Sequence, residues 1–557
     1  MATPVNFEGR RIILPGVYSV VKSGIRNPPI SLSYGNVLIV DTGSGTGYGG
    51  GSGINGELAD GADAIYPVDN IDDFRILTKG GYWYTLGRPL FEPQPQPGIS
   101  GVSMVNYVRA ATTVGANMVF APTGQADATP LGTPQTVTAT IKCRDEGTIG
   151  NGLLVSSELS KGYAYILKAG VRDTSKFILE FYRGTFTGLA DDGFPYGDVS
   201  EADSIPLTVV TSREVSDWSD FINWAENDST FQEYFSLTTS GDTSDGVVIG
   251  AHDLTQLATY QLATGGTETF GAADLTAALE AAATLRYSFI LSDKYGDDAQ
   301  DTVNDSLLNH VLSPDTSFEK MIFIGGGVDD TKFTQANGSI PAAEHFNSDR
   351  VVVVHGGVKV DSSITPTRSR NWDALYSAAL VLGRIAGLEP QTPGTFKTLP
   401  IRGLLHELIN QEKEVGLQAG VLLLHLDTQL LTPSYTILQA VNTIQNNINQ
   451  INEDGTTREV SIRRIAAQLN LELIINASRD LFGNEEGTNL NKLTDQTVID
   501  WTAGQLQFRT ATTTDDNLII EFRNISVTTQ QDAKFVTYEF KPNSPINKFF
   551  LTGFMVE

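Results

Sequence analysis

The sequence predicts a multidomain α+β and α/β fold, and three observations carry that reading. At 557 residues the chain exceeds what one hydrophobic core serves, since cores stop growing at about 250–300 residues, and three domains are expected. Apolar runs of strand length alternate with helical patterns around residues 270–355, the mark of an α/β layer. Between residues 125 and 250 apolar and polar side chains instead alternate with a period of two, which reads as an all-β insert.

Taken in order, residues 1–30 are extended in character, with the β-branched run at 11–21 interrupted by Pro15-Gly16 and a linker at 24–29. Residues 35–41 read as a short buried strand, and 42–56 are nearly pure Gly, Ser and Thr, a loop by composition. Helix and strand mix over 72–121, with a strand at 104–110. Inside the insert, strands are expected at 136–141, 163–167 and 176–182, separated by Asp/Gly-rich turns. Asp274 is placed to cap a helix whose apolar stripe is Leu275, Ala278, Leu279, Ala282 and Leu285. Strands follow at 287–292, 321–324 and 350–355.

From about Asn371 the pattern becomes helical, beginning with the small and apolar residues of 376–388. Thr432-Pro433 offers a cap with proline at the first helical position. Ile437, Val441, Ile444, Ile448 and Ile451 then recur at four- and three-residue steps, ending at Gly455, so a helix is expected there. A further helix at 461–481 presents Ile462, Ile465, Ala466, Leu469, Leu473 and Ala477, and one after Asp495 presents Val498, Thr502 and Leu506. Strands near 518–522 and 535–540 complete the pattern.

The last segment raises a pairing question. Residues 546–556 read as another strand, rich in Phe, behind the break Lys541-Pro542-Asn543-Ser544-Pro545. Two prolines argue against a tight two-residue return, because proline lacks the ladder donor and restricts its predecessor. The expectation is that this strand adds to a sheet edge on a neighbouring chain, where Phe549, Phe550, Leu551, Phe554 and Val556 would seat.

A net charge of −27 disfavours nucleic acid and anionic lipid as partners. Of 38 basic and 65 acidic residues, 16 and 21 lie from Pro366 onward, leaving 22 and 44 before it. The near-balanced last third is therefore the region expected to meet other protein, and the acidic remainder to form solvated outer surface. The single cysteine, Cys143, excludes an intramolecular disulfide framework and sits in a strand-like alternation as a plain thiol. The opening residues lack the basic start and apolar core of a signal peptide, and no apolar run approaches the roughly 20 residues of a membrane helix, so membrane insertion is not expected.

No constellation for catalysis, cofactor or metal emerges, and the chain reads as a non-enzyme. Gly45-Thr46-Gly47-Tyr48-Gly49-Gly50 matches a dinucleotide fingerprint after a plausible strand, but the glycines that follow cannot start the helix that would face a pyrophosphate. Gly325-Gly326-Gly327 reads as a turn, since Asp329 and Asp330 oppose an anion there. Of the six histidines no pair has metal-ligand spacing, and His406 and His425 read as core histidines in apolar helical context. Asp293, Asp297 and Asp298 read as a solvated loop. Arg463 and Arg464 open a helix, where cations oppose the dipole, and are candidate interface charges for a carboxylate across a domain or subunit boundary.

Several segments together resemble the sheath proteins of contractile phage tails and related injection machines. Leu14-Pro15-Gly16-Val17-Tyr18 is similar to that family's opening, and Val105-Asn106-Tyr107-Val108-Arg109-Ala110 to one of its strands. Residues 146–155, with Gly150-Asn151-Gly152, and residues 260–266, with the helix and strand that follow, resemble two further units. In the last third, residues 414–421 and Ser461-Ile462-Arg463-Arg464-Ile465 resemble two more. The chain departs from the pattern where no Asn follows Val421 and in the glycine run at 42–56.

The resemblance implies an inner α+β domain built from both termini, an α/β middle domain and a β-rich outer insert. Expected boundaries are an extended arm at 1–30, the middle domain at 31–124 plus 251–365, the insert at 125–250, the tube-facing inner domain at 366–540 and a strand arm at 541–557. It also implies that both arms donate strands to neighbouring subunits, with Ile12, Ile13, Leu14, Val17, Tyr18 and Val20 in the first. The implied function is a structural subunit that polymerises as stacked hexameric rings around a tail tube and contracts. Implied partners are further copies, the tube protein, and baseplate and tail terminator proteins; the implied location is the virion tail, after assembly in the host cytoplasm. The rival readings are another virion component, a tube or capsid protein, which the helical last third argues against, and a carbohydrate-active enzyme, for which no paired carboxylates stand out.

Overall fold

The computed structural model describes residues 5–7, 10–12, 35–41, 65–78, 82–93, 101–110, 112–114, 116–120, 138–143, 151–155, 158–172, 176–183, 207–215, 217–240, 260–269, 271–283, 285–292, 298–313, 320–326, 333–334, 338–361, 369–428, 432–445, 457–482, 493–510, 517–530 and 533–543. The chain divides into two compact units, Met1–Ser33 and Tyr34–Glu557. In the first, Val5–Phe7 pairs antiparallel with Arg10–Ile12, Val5 opposite Ile12. Ile13, Leu14, Val17, Tyr18 and Val20 lie outside the described residues.

An eight-stranded sheet organises the second unit. In spatial order its strands are Ser434–Gln439, Val421–Asp427, Val351–His355, Met321–Gly326, Phe289–Leu291, Asn36–Asp41, Met104–Arg109 and Ile65–Val68. The six inner strands run parallel to one another, and each edge strand is antiparallel to its neighbour. Their near-continuous apolar runs are what strands covered on both faces require. Val37, Ile39, Val105, Tyr107, Phe323 and Val352 join one core with the helices Ile71–Thr78, Tyr82–Phe91 and Ala374–Ala386. Leu38, Val40, Ile290, Ile322, Ile324 and Val353 join the opposite core with Ala272–Ala282, Asp298–Leu312 and Ser339–Phe346. The sheet draws strands from both sides of the boundary expected at 366.

Four local expectations are corrected. The segment after Thr432-Pro433 is the edge strand Ser434–Gln439, not a helix; it pairs with Val421–Asp427, with Tyr435 opposite Leu426. Its β-branched Thr436 and Ile437 suit that position, and an edge strand tolerates a proline just before its start. Ile448 and Ile451 lie outside the described residues. Gly325 and Gly326 belong to a strand rather than a turn. An added Cβ at Gly325 would lie 2.8 Å from the Ala374 carbonyl carbon, so glycine is what lets the fully buried helix Ala374–Ala386 cross that strand closely. Asp274 is not the cap but the third residue of Ala272–Ala282, reaching back to accept from the Gly271 N–H at 2.8 Å.

The fourth concerns the insert. Its strands Thr138–Cys143, Tyr163–Ala169 and Phe177–Arg183 fall where alternation places them, in a three-stranded and a four-stranded sheet. It is not all-β, because the helices Trp218–Asn227 and Ser229–Tyr234 complete its core. Trp218, Phe221, Trp224 and Ala225 recur at helical spacing on the first, and Asp217 and Asp228 cap the two, accepting from Asp220 N at 2.7 Å and Phe231 N at 2.9 Å. Cys143 is a free thiol buried in that core.

Candidate assembly surface

The last third ends in a small subdomain whose two helices match the sequence pattern. Helix Val460–Ala477 starts in the α/β core through Val460 and carries Ile465, Leu469 and Leu473 into a separate core. Helix Asp495–Thr510 buries Val498, Thr502 and Leu506, the stripe read from spacing. Polar clamps tie the parts together: Arg509 pairs with Glu472 at 2.6 Å, Gln468 donates to the same carboxylate at 2.7 Å, and the Tyr538 hydroxyl donates to Asn470 at 2.8 Å.

On these helices lies an antiparallel hairpin, Ile519–Gln530 with Ala533–Pro542. Phe522, Ile525, Tyr538 and Phe540 face the small core. Register shifts between Arg523 and Ser526, with Asn524 at φ 55°, mark a bulge that twists the ribbon. Two strands of twelve and ten residues form a two-stranded sheet, so among the described residues neither outer edge carries a third strand. Such edges present rows of N–H and C=O groups that template further pairing, and an isolated hairpin is marginal by itself. A groove of about 510 Å³ runs along the ribbon, lined among others by Phe522, Tyr538, Phe540 and Pro542. Phe535 is 51% exposed on the hairpin and Phe508 58% exposed on the adjoining helix.

The surface charges are paired at its borders. Arg523 meets Glu539 at 2.7 Å, and Asn524 and Arg523 hold the Glu539 carboxyl below the usual carboxylate range. Lys534 and Thr529 do the same for Asp495 at the start of its helix. Phe549, Phe550, Leu551, Phe554 and Val556 lie outside the described residues, so the arm expected to add to such an edge is not placed.

Arg463 finds a carboxylate within the chain, across the boundary expected between residues 251–365 and 366–540, whereas Arg464 meets backbone carbonyls. Arg463 pairs with Asp349 of the same chain at 3.5 Å, and Arg464, 5% exposed, donates to the Leu388 carbonyl at 2.6 Å. Both lock the first turn of helix Val460–Ala477 to the α/β body, which compensates their unfavourable place near a helix N-terminus. Sequence spacing could not find Asp349, more than a hundred residues away.

The remaining candidates do not converge on chemistry. His425 lies on a strand and meets Thr436 at 3.0 Å, and His406 is exposed outside any helix, so neither has the helical setting expected. His355 is buried against Ser339 at 2.7 Å and Phe333, and burial first, then His406, pushes its pKa down to about 3. The glycine motif at 45–50 and Asp293 and Asp297 lie outside the described residues, as does the side chain of Asp298. Among the described residues no three His, Cys, Asp or Glu gather as metal ligands do, and no helix is long and apolar enough to cross a membrane. Sequence reading missed the full length of the first hairpin strand, although Ile519, Ile525 and Val527 carried an alternating signal broken by the bulge.

No family model matches the chain. It is 25% identical over 263 residues to the tail sheath protein of Bacillus phage SP01, a match spanning 46% of this chain and 42% of that relative. The sheath tail protein of Desulfitobacterium hafniense matches in structure with a TM-score of 0.50 at 13% identity, covering 95% of this chain and 100% of that one. The sheath tail protein of Listeria innocua aligns over 91% of this chain and 95% of its own, with 16% identity and a TM-score of 0.44. In sequence over somewhat less than half its length, and in fold over nearly all of it, this chain resembles the sheath proteins of contractile tails.

Proposed function

We propose that the chain is a sheath subunit that polymerises with copies of itself, as stacked hexameric rings around a tail tube, in the tail of a virion. The reading rests on one observation above the others: a chain with a sheath-like fold carries a hairpin, Ile519–Gln530 with Ala533–Pro542, whose outer edges have no third strand among the described residues, with exposed aromatics beside it. The inner domain at 366–540 would face the tube, the middle domain at 31–124 plus 251–365 would lie outside it, and the insert at 125–250 would be outermost. The arms at 1–30 and 541–557 would donate strands to neighbouring hairpins. Baseplate and terminator proteins would bound the sleeve, and assembly would take place in the host cytoplasm.

Contraction would be a rigid-body rearrangement that builds new contacts between subunits, with the strand links as hinges, driving the tube through the host envelope. Energy stored as kinetic metastability needs no nucleotide. If about 500 Å² of apolar surface per subunit is buried on contraction, the gross gain is about 12 kcal/mol at about 25 cal/mol per Å². Polar desolvation and ordering reduce that figure.

Deleting residues 545–557 tests the reading. The truncated protein is expected to stay folded by circular dichroism and to form no long sleeves in negative-stain images. Sleeves of normal length from the truncated chain would overturn strand linkage.

A further inference from the structure

The helix Asp298–Leu312, on one face of the eight-stranded sheet, is held at its last turn by an unusual trio. Lys320, just before the strand Met321–Gly326, is 1% exposed. Its Nζ lies 3.3 Å from His310 Nε2 and 4.3 Å from the centre of the Tyr287 ring. The Tyr287 hydroxyl lies 2.8 Å from the same His310 nitrogen. One lone pair thus serves two donors, which requires a neutral imidazole with its proton on Nδ1. Among the described residues no carboxylate joins the trio; Asp315 and Glu319, between His310 and Lys320 in sequence, lie outside them. Asp305, on the same helix, is engaged by His345 at 2.7 Å, and Glu280 on the adjoining helix is exposed. Among the described residues, the helix C-terminus, whose dipole favours a cation, and the Tyr287 ring accommodate the Lys320 charge.

We propose that Lys320, His310 and Tyr287 form an acid-sensitive latch that has room for a single positive charge and releases helix Asp298–Leu312 from the sheet when His310 takes up a proton. Protonation removes the acceptor that both Tyr287 and Lys320 use, and it places two cations 3.3 Å apart in a buried setting. Burial first, then the Lys320 charge, holds the His310 pKa down to about 4. A group depressed in the folded state binds its proton more tightly once the helix opens. Stability of this contact is therefore intact above the ordinary histidine value of 6.5 and is lost as pH falls from there toward about 4.

Hydrogen exchange by mass spectrometry of the full chain, corrected for intrinsic rates, tests the latch. Between pH 7 and pH 5 the opening constant of the 298–312 segment should rise about 20-fold, the value that follows from 6.5 against about 4. His310→Gln, which keeps an acceptor for Tyr287 and cannot take up a proton, should abolish that rise. Lys320→Met should reduce it without abolishing it. A wild-type rise below twofold, or a full rise in His310→Gln, overturns the proposal. A full rise in Lys320→Met would assign the effect to burial alone and overturn the two-cation account. Should Lys320→Met fail to fold, His310→Gln decides.

Discussion

Replacing Arg464 separates a buried clamp from an interface charge. Arg464 is 5% exposed, donates to the Leu388 carbonyl at 2.6 Å and to Glu389 O at 3.5 Å, and stacks 5.8 Å from the Phe289 ring. Arg464→Met keeps the length and apolar stem of the side chain but removes both donors. Losing a hydrogen bond from a charged group costs about 1.5–3 kcal/mol, so the opening constant of helix Val460–Ala477 should rise about 10- to 150-fold. Arg464→Glu should cost more, about 3–5 kcal/mol, because it buries an uncompensated charge against carbonyl oxygens. Hydrogen exchange over 460–477 reads the loss in the unassembled protein, and negative-stain images read assembly separately. Both variants should lose protection before any assembly step. Wild-type protection in Arg464→Met, together with failed assembly, would return Arg464 to an external role and refute the clamp.

Three further outcomes follow from other contacts. Leu506→Ala, at a fully buried position between the terminal helices and the hairpin, should destabilise that subdomain by about 2–5 kcal/mol, seen as lost exchange protection at 495–510 and 519–542 while the eight-stranded sheet keeps its own. Gly325→Ala should cost about 1–3 kcal/mol in urea unfolding, because its Cβ would press on the Ala374–Leu375 backbone at 2.8 Å; an unchanged midpoint would show that the helix shifts freely. His355, with a folded pKa of about 3, should contribute acid lability between pH 6.5 and that value, and His355→Gln should flatten the pH dependence of protection in the strand Val351–His355.

Much of the molecule follows from periodicity alone. Helix Asp495–Thr510 buries Val498, Thr502 and Leu506 as its spacing requires, and the strands Met321–Gly326 and Val351–His355 sit in uninterrupted apolar runs that only a two-sided core accepts. Caps at Asp217 and Asp228 were legible too, but lay inside a stretch read as uniformly alternating.

What the chain alone determined was therefore local: the pattern of buried faces, the mixed α and β class and the resemblance to sheath proteins. Tertiary structure decided wherever partners lie far apart in sequence. Ser434–Gln439 is a strand because Val421–Asp427 offers it an edge, a pairing that outweighs the helical spacing of Ile437 and Val441. Arg463 and Arg464 are internal because Asp349 and Leu388 are brought to them by the fold. Periodicity records which side of an element is buried, and only the folded chain supplies the group that buries it.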